Sequence, residues 1–227
     1  MKLMATPSPK TLTIYGRLSF PTWTAAEAYA LSQKGNYPAA DVASAAPHFQ
    51  LLVSATQWEK FLKHATEVFL PYCLEQSKKG DKKDALDAKD VAALAAGLEG
   101  DLADQPYNTP AKPVHEKTAP LVPDAVAAIK CIGQKGTDIE LKAIVNDESE
   151  LSVPDPDLIS FPVIKPIGAT VHQMYPGAFV AATLNLYAYR NGKHPGFSAG
   201  VSTAVFKMDG DRIGGSVSVD EDAIFMD

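Results

Sequence analysis

Cysteine is scarce in this chain of 227 residues: Cys73 and Cys131 stand far apart with no partner motif such as C-x-x-C. That pattern reads as two reduced thiols in a cytosolic setting rather than a disulfide framework. Long apolar runs are missing too. No stretch approaches the ~18–20 residues needed to span a bilayer, and the opening "MKLMATPSPK" lacks the apolar segment of a signal peptide. The expectation is an intracellular protein without membrane contact. There is no G-x-x-x-x-G-K-[ST], no G-x-G-x-x-G and no H-E-x-x-H. Nucleotide hydrolysis, dinucleotide redox chemistry and zinc proteolysis therefore have no supporting motif, and no cofactor is expected.

One catalytic pattern does match. "GFSAG", Gly196–Gly200, fits the nucleophile elbow G-x-S-x-G and would make Ser198 an esterase nucleophile. The elbow needs a helix after it, and its histidine follows the serine in sequence. Here "AGVSTAVF" is small and β-branched, and His48, His64, His115, His172 and His194 all precede Ser198. The motif reads as small residues in a strand, not as an enzyme site. Acidic groups at Asp147–Glu150 and Asp155–Asp157 match no calcium loop, and no two histidines share a helix face at i, i+4, so no metal site is assigned.

Charge is in deficit on the positive side, with a formal net charge of −6. Phosphate backbones are held mostly by Lys and Arg, so this sum argues at first against nucleic acid. The distribution says otherwise. Residues 1–80 carry eight basic and five acidic side chains, residues 81–104 three and seven, and residues 220–227 four acids and no base. A basic face on the body of the protein is compatible with negative charge gathered into an insertion and a tail.

Hydrophobic patterning is what the chain has in abundance. "TLTIYGRLSF", Thr11–Phe20, alternates with Leu12, Ile14, Leu18 and Phe20 on one side and Thr13, Tyr15, Arg17 and Ser19 on the other, which predicts a half-buried strand. A polar, Ala-rich stretch runs to about Ala46, and a second strand is predicted over Pro47–Ser54. The spacing Thr56-x-x-Glu59 predicts a capping box ahead of a helix with an apolar stripe at Trp58, Phe61, Leu62, Ala65 and Phe69, which Pro71 should kink or interrupt. A charged turn, Ser77–Asp84, leads to a second helix near Ala88–Leu98, and five prolines between residues 105 and 123 predict an extended loop. Strands are expected at Ala125–Ile132, Asp138–Val145 and Phe161–Ile167, and a long hairpin at Phe179–Tyr189 and Phe197–Met208. The order predicts a mainly β protein: a small antiparallel barrel, residues 11–219, with a helical insertion at about 56–104, a flexible segment 1–10 and an acidic tail 220–227.

The strongest functional signal is the outer face of that hairpin. Val180, Ala182, Leu184, Leu186 and Ala188 share one side of the strand, leaving Tyr187 and Tyr189 on the other, followed at once by Arg190, Lys193 and His194. Tyr15 and Arg17 repeat the aromatic-basic pairing on the first strand. Aromatics stack on bases of any sequence while neighbouring cations hold phosphates. Spacing alone leaves two readings open: a platform for single strands, or tyrosines that pair across strands and pack under the insertion.

"GRLSFP", "HFQLLVSATQ", "YPGAFVAATLNLYAYRNGKHPGFSAGVSTAVFKMDGDRIGG" and the acidic end together resemble the single-stranded DNA-binding proteins of tailed bacteriophages. Residues 25–46 and 80–124 are largely unmatched. The resemblance implies an OB-fold, a five-stranded antiparallel Greek-key barrel whose groove takes single strands without strong sequence preference, and a non-enzymatic role in phage DNA replication, recombination and repair inside the host cell cytoplasm. It places Tyr15, Arg17, Tyr187, Tyr189, Arg190 and Lys193 in the groove, with Trp23, Lys130 and Lys142 as weaker transfers. It also implies that the tail, through Asp220, Glu221, Asp222, Phe225 and Asp227, competes with DNA and recruits polymerase or helicase-primase. Family tails usually end on the aromatic, whereas here Met226 and Asp227 follow Phe225. The alternative from a different class is a phage structural or protein-interaction module that uses the same sheet face for protein.

Overall fold

The computed structural model describes residues 8–36, 38–80, 84–103, 108–145, 163–166, 174–191 and 194–213. Strand β1 (Thr11–Thr22) buries Leu12, Ile14 and Leu18 as its alternation predicts. Phe20 departs from that pattern: a bulge between Ser19 and Thr22 shifts the register against the next strand, and Phe20 is 57% exposed. The polar stretch that follows holds a helix, α1 (Ala25–Ser32), opened by a capping box between Thr24 and Glu27. Strand β2 (His48–Ser54) then runs directly into helix α2 (Ala55–His64). Because Thr56 is already inside the helix, its hydroxyl cannot serve as the cap, and Ser54 occupies that place without a side-chain bond.

Pro71 does not end the helical run. A π-helical turn, Ala65–Phe69, precedes it, and helix α3 (Leu70–Lys78) continues with the proline in its first turn. The wider turn absorbs the hydrogen bond that the proline cannot donate. Helix α4 (Ala88–Glu99) completes the insertion. In the Pro-rich segment that follows, β3 (Ala111–Lys112) pairs with β4 (Ala125–Ile132). Strands β5 (Glu140–Val145) and β6 (Val163–Pro166) precede the long hairpin β7 (Phe179–Asn191) and β8 (His194–Met208).

The sheet order is β3-β4-β2-β1-β7-β8-β5-β6, and a further pairing of β4 with β8 closes β4, β2, β1, β7 and β8 into a five-stranded barrel. That closing pair is parallel, Cys131 with Ala199 and Ile132 with Gly200, so the barrel is mixed rather than antiparallel throughout. A closed ring with an odd number of strands cannot alternate direction at every step, and the parallel seam falls at β4–β8. β5 continues beyond it along the same edge of β8, also parallel. β1 is shared: its first half pairs with β7 and its second half with β2. At the changeover, a Cβ on Gly16 would stand 2.7 Å from the Leu52 carbonyl oxygen, so only glycine permits this crossing.

The insertion closes one end of the barrel. Phe61, Phe69, Leu70, Cys73, Leu86, Leu94 and Leu98 join Leu12, Leu184, Leu186 and Phe197 in one buried cluster, with the rings of Phe69 and Phe197 5.5 Å apart. Burial pushes the Cys73 thiol up to about 12 and raises that of Cys131 as well, so both thiols are held protonated and unreactive. Polar contacts fix the insertion in place. Asp84, almost fully buried, accepts from Lys10 Nζ at 2.5 Å and from the Ala188 backbone N–H at 2.9 Å. Arg190 pairs with Asp90 and, at 3.5 Å, with Asp87 at the start of α4.

Replacing Asp84 with alanine leaves the Lys10 ammonium and the Ala188 N–H without their partner. The expected loss is about 2–3 kcal/mol of unfolding free energy, read by urea denaturation, because both groups lie where water reaches them poorly. An unchanged midpoint would mean that the insertion is held by its apolar contacts alone.

Candidate nucleic-acid interface

The outer face of β1, β7 and β8 is a single continuous surface. On β7 the outward residues are Ala181, Thr183, Asn185, Tyr187 and Tyr189, set by the period of two that turns Val180, Ala182, Leu184 and Leu186 inward. Thr13 Oγ1 meets Thr183 Oγ1 at 3.0 Å, which ties the middle of this face across β1 and β7. An open groove of about 460 Å³ runs beside Thr183, Asn185 and Tyr187, floored in part by Gly200 and walled by Gln134 and Lys135 from the turn after β4. That turn is anchored to the segment before β2, Gly133 N–H to the Pro47 carbonyl at 2.7 Å and Gly136 N–H to the Ala45 carbonyl at 2.8 Å.

The two tyrosines sit on glycine. Tyr189 lies opposite Gly196, and a Cβ placed there would come within 2.9 Å of the ring; at Gly200 a Cβ would stand 3.4 Å from the Tyr187 ring. Each ring thus lies on strand backbone, half-buried, with the two centroids 6.4 Å apart and the planes at 44°. Glycine seats hold aromatic planes low against a sheet and limit their rotamers, which lowers the entropy lost when something stacks on them. "GFSAG" is part of this surface. Ser198 lies within the unbroken strand β8, opposite Tyr187, and the strand runs on to Met208 where the elbow would require a turn into a helix, so the elbow geometry is absent.

Tyr15 occupies the other end of the same face, beside Ala181, with Val205 and Lys142 completing the row across β8 and β5. It is 38% exposed, with Lys207 Nζ 5.2 Å and Lys60 Nζ 5.7 Å from its ring centroid. Lys60 comes from α2, which covers the edge of β1 that β2 does not reach: Gln57 Oε1 accepts the Tyr15 N–H at 3.1 Å, and Lys60 Nζ donates to the Thr13 carbonyl at 2.9 Å. Partial burial lowers the Lys207 pKa from its ordinary value.

The remaining residues expected in the groove are placed differently. Arg17 is only 7% exposed; its guanidinium donates to the carbonyls of Gly177 and Asp211 and lies 5.5 Å from the Phe179 ring, so it holds the segments before and after the hairpin. Trp23 is 4% exposed and packs on Phe49, ring centroids 5.3 Å apart. Arg190 turns away from Tyr189 toward the carboxylates of α4. Lys130, by contrast, is exposed on β4 opposite Gln50, one position before the Cys131–Ala199 pair and so on the side of β8 where Ser198 faces Tyr187, while Lys142 pairs with Glu140 at 2.8 Å. Lys193 and the tail residues Asp220, Glu221, Asp222, Phe225 and Asp227 lie outside the described residues.

Sequence spacing missed Lys60, Lys207 and Lys135. For Lys207 a signal existed, since Phe206 faces inward and the next residue must face out. Lys60 had none, because nothing in a helix reveals which strand it will cross.

No family model matches the chain, and no curated protein matches it. Solved structures do. The single-stranded DNA-binding protein from bacteriophage Enc34, in complex with ssDNA, aligns with a TM-score of 0.50 at 14% identity, covering 90% of this chain and 90% of that one. A second structure of the same phage protein gives 0.48 at 14% identity over 95% and 90% of the two chains. Gp2.5, a single-stranded DNA-binding protein encoded by bacteriophage T7, gives 0.43 at 10% identity over 96% and 98%. At the level of the fold, this mixed five-stranded barrel with inserted helices and extra strands is similar to that of the Enc34 phage protein.

Proposed function

We propose that this chain binds single-stranded DNA without sequence preference and serves phage DNA replication, recombination and repair in the cytoplasm of the infected host cell. The observation that carries this reading is the pair of glycine-seated rings, Tyr187 and Tyr189, on the outer face of an OB-type barrel, beside a groove edged by Thr183, Asn185 and Lys135. Bases stack on such rings regardless of identity, because every base presents a π face. The groove offers small polar side chains rather than a fixed array of donors and acceptors aimed at base edges, which suits tolerance of sequence. Binding, not bond-making, is the chemistry this surface supports, and the similar Enc34 phage protein has been solved in complex with ssDNA.

The first test is equilibrium titration of a labelled oligo-dT and of a mixed-sequence oligonucleotide of equal length. The two should bind alike, and affinity should fall steeply with salt. Tyr187→Ala combined with Tyr189→Ala should weaken binding by about 1–3 kcal/mol per ring at every salt concentration while thermal unfolding stays cooperative. Binding unchanged by the double substitution would point to the sheet face as a protein-interaction surface instead.

The tail belongs to the same reading. Four acids within residues 220–227 of an otherwise nearly balanced chain act as an intramolecular competitor for a cationic groove, at the high effective concentration that a short tether confers. Once displaced by DNA, Asp220, Glu221, Asp222, Phe225 and Asp227 become available to polymerase or helicase-primase. Removing residues 220–227 should raise affinity for oligo-dT several-fold at low salt, with the difference closing as salt screens the tail. Equal affinities at low salt would remove the competition.

A further inference from the structure

Two lysines gather at the Tyr15 ring, Lys60 from the exposed face of α2 and half-buried Lys207 from β8. Lys10, Lys142 and Arg190 each meet a carboxylate, at Asp84, Glu140 and Asp90 respectively. Lys60 and Lys207 converge on one tyrosine ring and, among the described residues, neither forms an ion pair. Lys207 is partly desolvated, so its charge is less well screened by water than one on the open surface. A cation–π contact with a partly exposed ring returns only about 0.5–1 kcal/mol per cation. Two like charges brought together without a counter-charge make an arrangement that an anion completes.

The position of this pair says which anion. Six residues of β7 separate Ala181, beside Tyr15, from Tyr187, which at ~3.3 Å per residue is about 20 Å along one uninterrupted outer face. Between the two ends lie Thr13, Thr183 and Asn185, with no carboxylate among the outward residues of β7. A single strand whose bases stack on Tyr187 and Tyr189 has this lane as its continuation. With two ammoniums drawn to its ring, Tyr15 is a scaffold for charge rather than a second stacking plane.

We propose that Lys60 and Lys207, gathered at Tyr15, form a phosphate-binding subsite for the backbone of the same single strand whose bases stack on Tyr187 and Tyr189. The inference rests on the single-strand reading and adds to it a division of labour: one end of the face holds bases, the other holds phosphates. It assigns roles to two lysines that spacing did not single out, and changes that of Tyr15 from stacking to positioning.

Salt dependence separates the two ends. For single strands the slope of log K against log salt is about 0.7 per phosphate neutralised. Using the full chain and a labelled oligo-dT, Lys60→Gln, a change on an exposed helix face, should reduce the magnitude of the slope by about 0.7, and Lys60→Gln with Lys207→Gln by about 1.4. Tyr187→Ala with Tyr189→Ala should lower affinity and leave the slope as in the parent. Lys60→Arg with Lys207→Arg should restore the parent slope. A parent-like slope in Lys60→Gln and in the double glutamine variant overturns the subsite and leaves the lysines as cation–π partners only. Failure of the parent protein to bind oligo-dT at low salt overturns the single-strand reading itself, a different outcome from loss of the slope effect.

Discussion

Pairing of β7 with β8 governs both the core and the candidate interface. Twelve register pairs run from Phe179–Met208 to Asn191–His194, and β7 is paired on its other side with β1 over seven more. Because side chains alternate with a period of two, the register that points Val180, Leu184 and Leu186 inward also points Thr183, Asn185, Tyr187 and Tyr189 outward. A slip of one residue would expose three large apolar side chains, each worth about 1.5–3 kcal/mol when fully buried. The interface is therefore held in place by the core, and its tyrosines are positioned before any ligand arrives.

The second constraint is electrostatic. A chain of net charge −6 must keep some cations unneutralised if it is to present a positive lane. The insertion manages its own acids locally: Asp84 takes Lys10, and Asp87 and Asp90 take Arg190, all at the end of the barrel that α4 covers. Those pairs lock the insertion down and remove these three carboxylates from competition with the sheet face. The same arrangement explains why Arg190, next in sequence to Tyr189, contributes nothing to that face. Adjacent residues on a strand point to opposite sides, and the inner side here meets α4.

Periodicity made most of the fold legible. The strands of the barrel and the helices of the insertion follow from alternation, an apolar stripe and turn residues, and Tyr187 and Tyr189 follow from the same alternation as the inward leucines. What stayed hidden depends on contacts between segments distant in the chain. Phe20 leaves its predicted side because of a bulge against β2. Arg17 looks outward by phase, but the Leu52, Val122, Ala128 and Ile213 cluster covers that part of the face, and the carbonyls of Gly177 and Asp211 take the guanidinium. The parallel seam at β4–β8 is a property of ring closure, which no local window of sequence contains. Helix α1 was hidden for a different reason: its Thr24–Glu27 capping box lies in the sequence, but the Ala-rich stretch lacks a strong apolar stripe to mark the helix behind it.

The glycines of "GFSAG" show why a motif and a mechanism can separate. In a nucleophile elbow, glycines are needed so that backbone can pass close to the turn that lifts a serine. In β8 Gly196 is needed because the Tyr189 ring lies where its Cβ would be, while at Gly200 a Cβ would only just touch the Tyr187 ring. Both geometries demand the absence of a side chain, so the letters alone cannot tell them apart. The strand context can. Phe197 and Ala199 point into the core between the glycines, which leaves Gly196, Ser198 and Gly200 facing out as a shallow strip opposite the tyrosines. A larger residue at Gly196 would push the Tyr189 ring off the sheet and crowd the Asn108 carbonyl that accepts the Phe197 N–H, so the surface would lose its flat stacking plane.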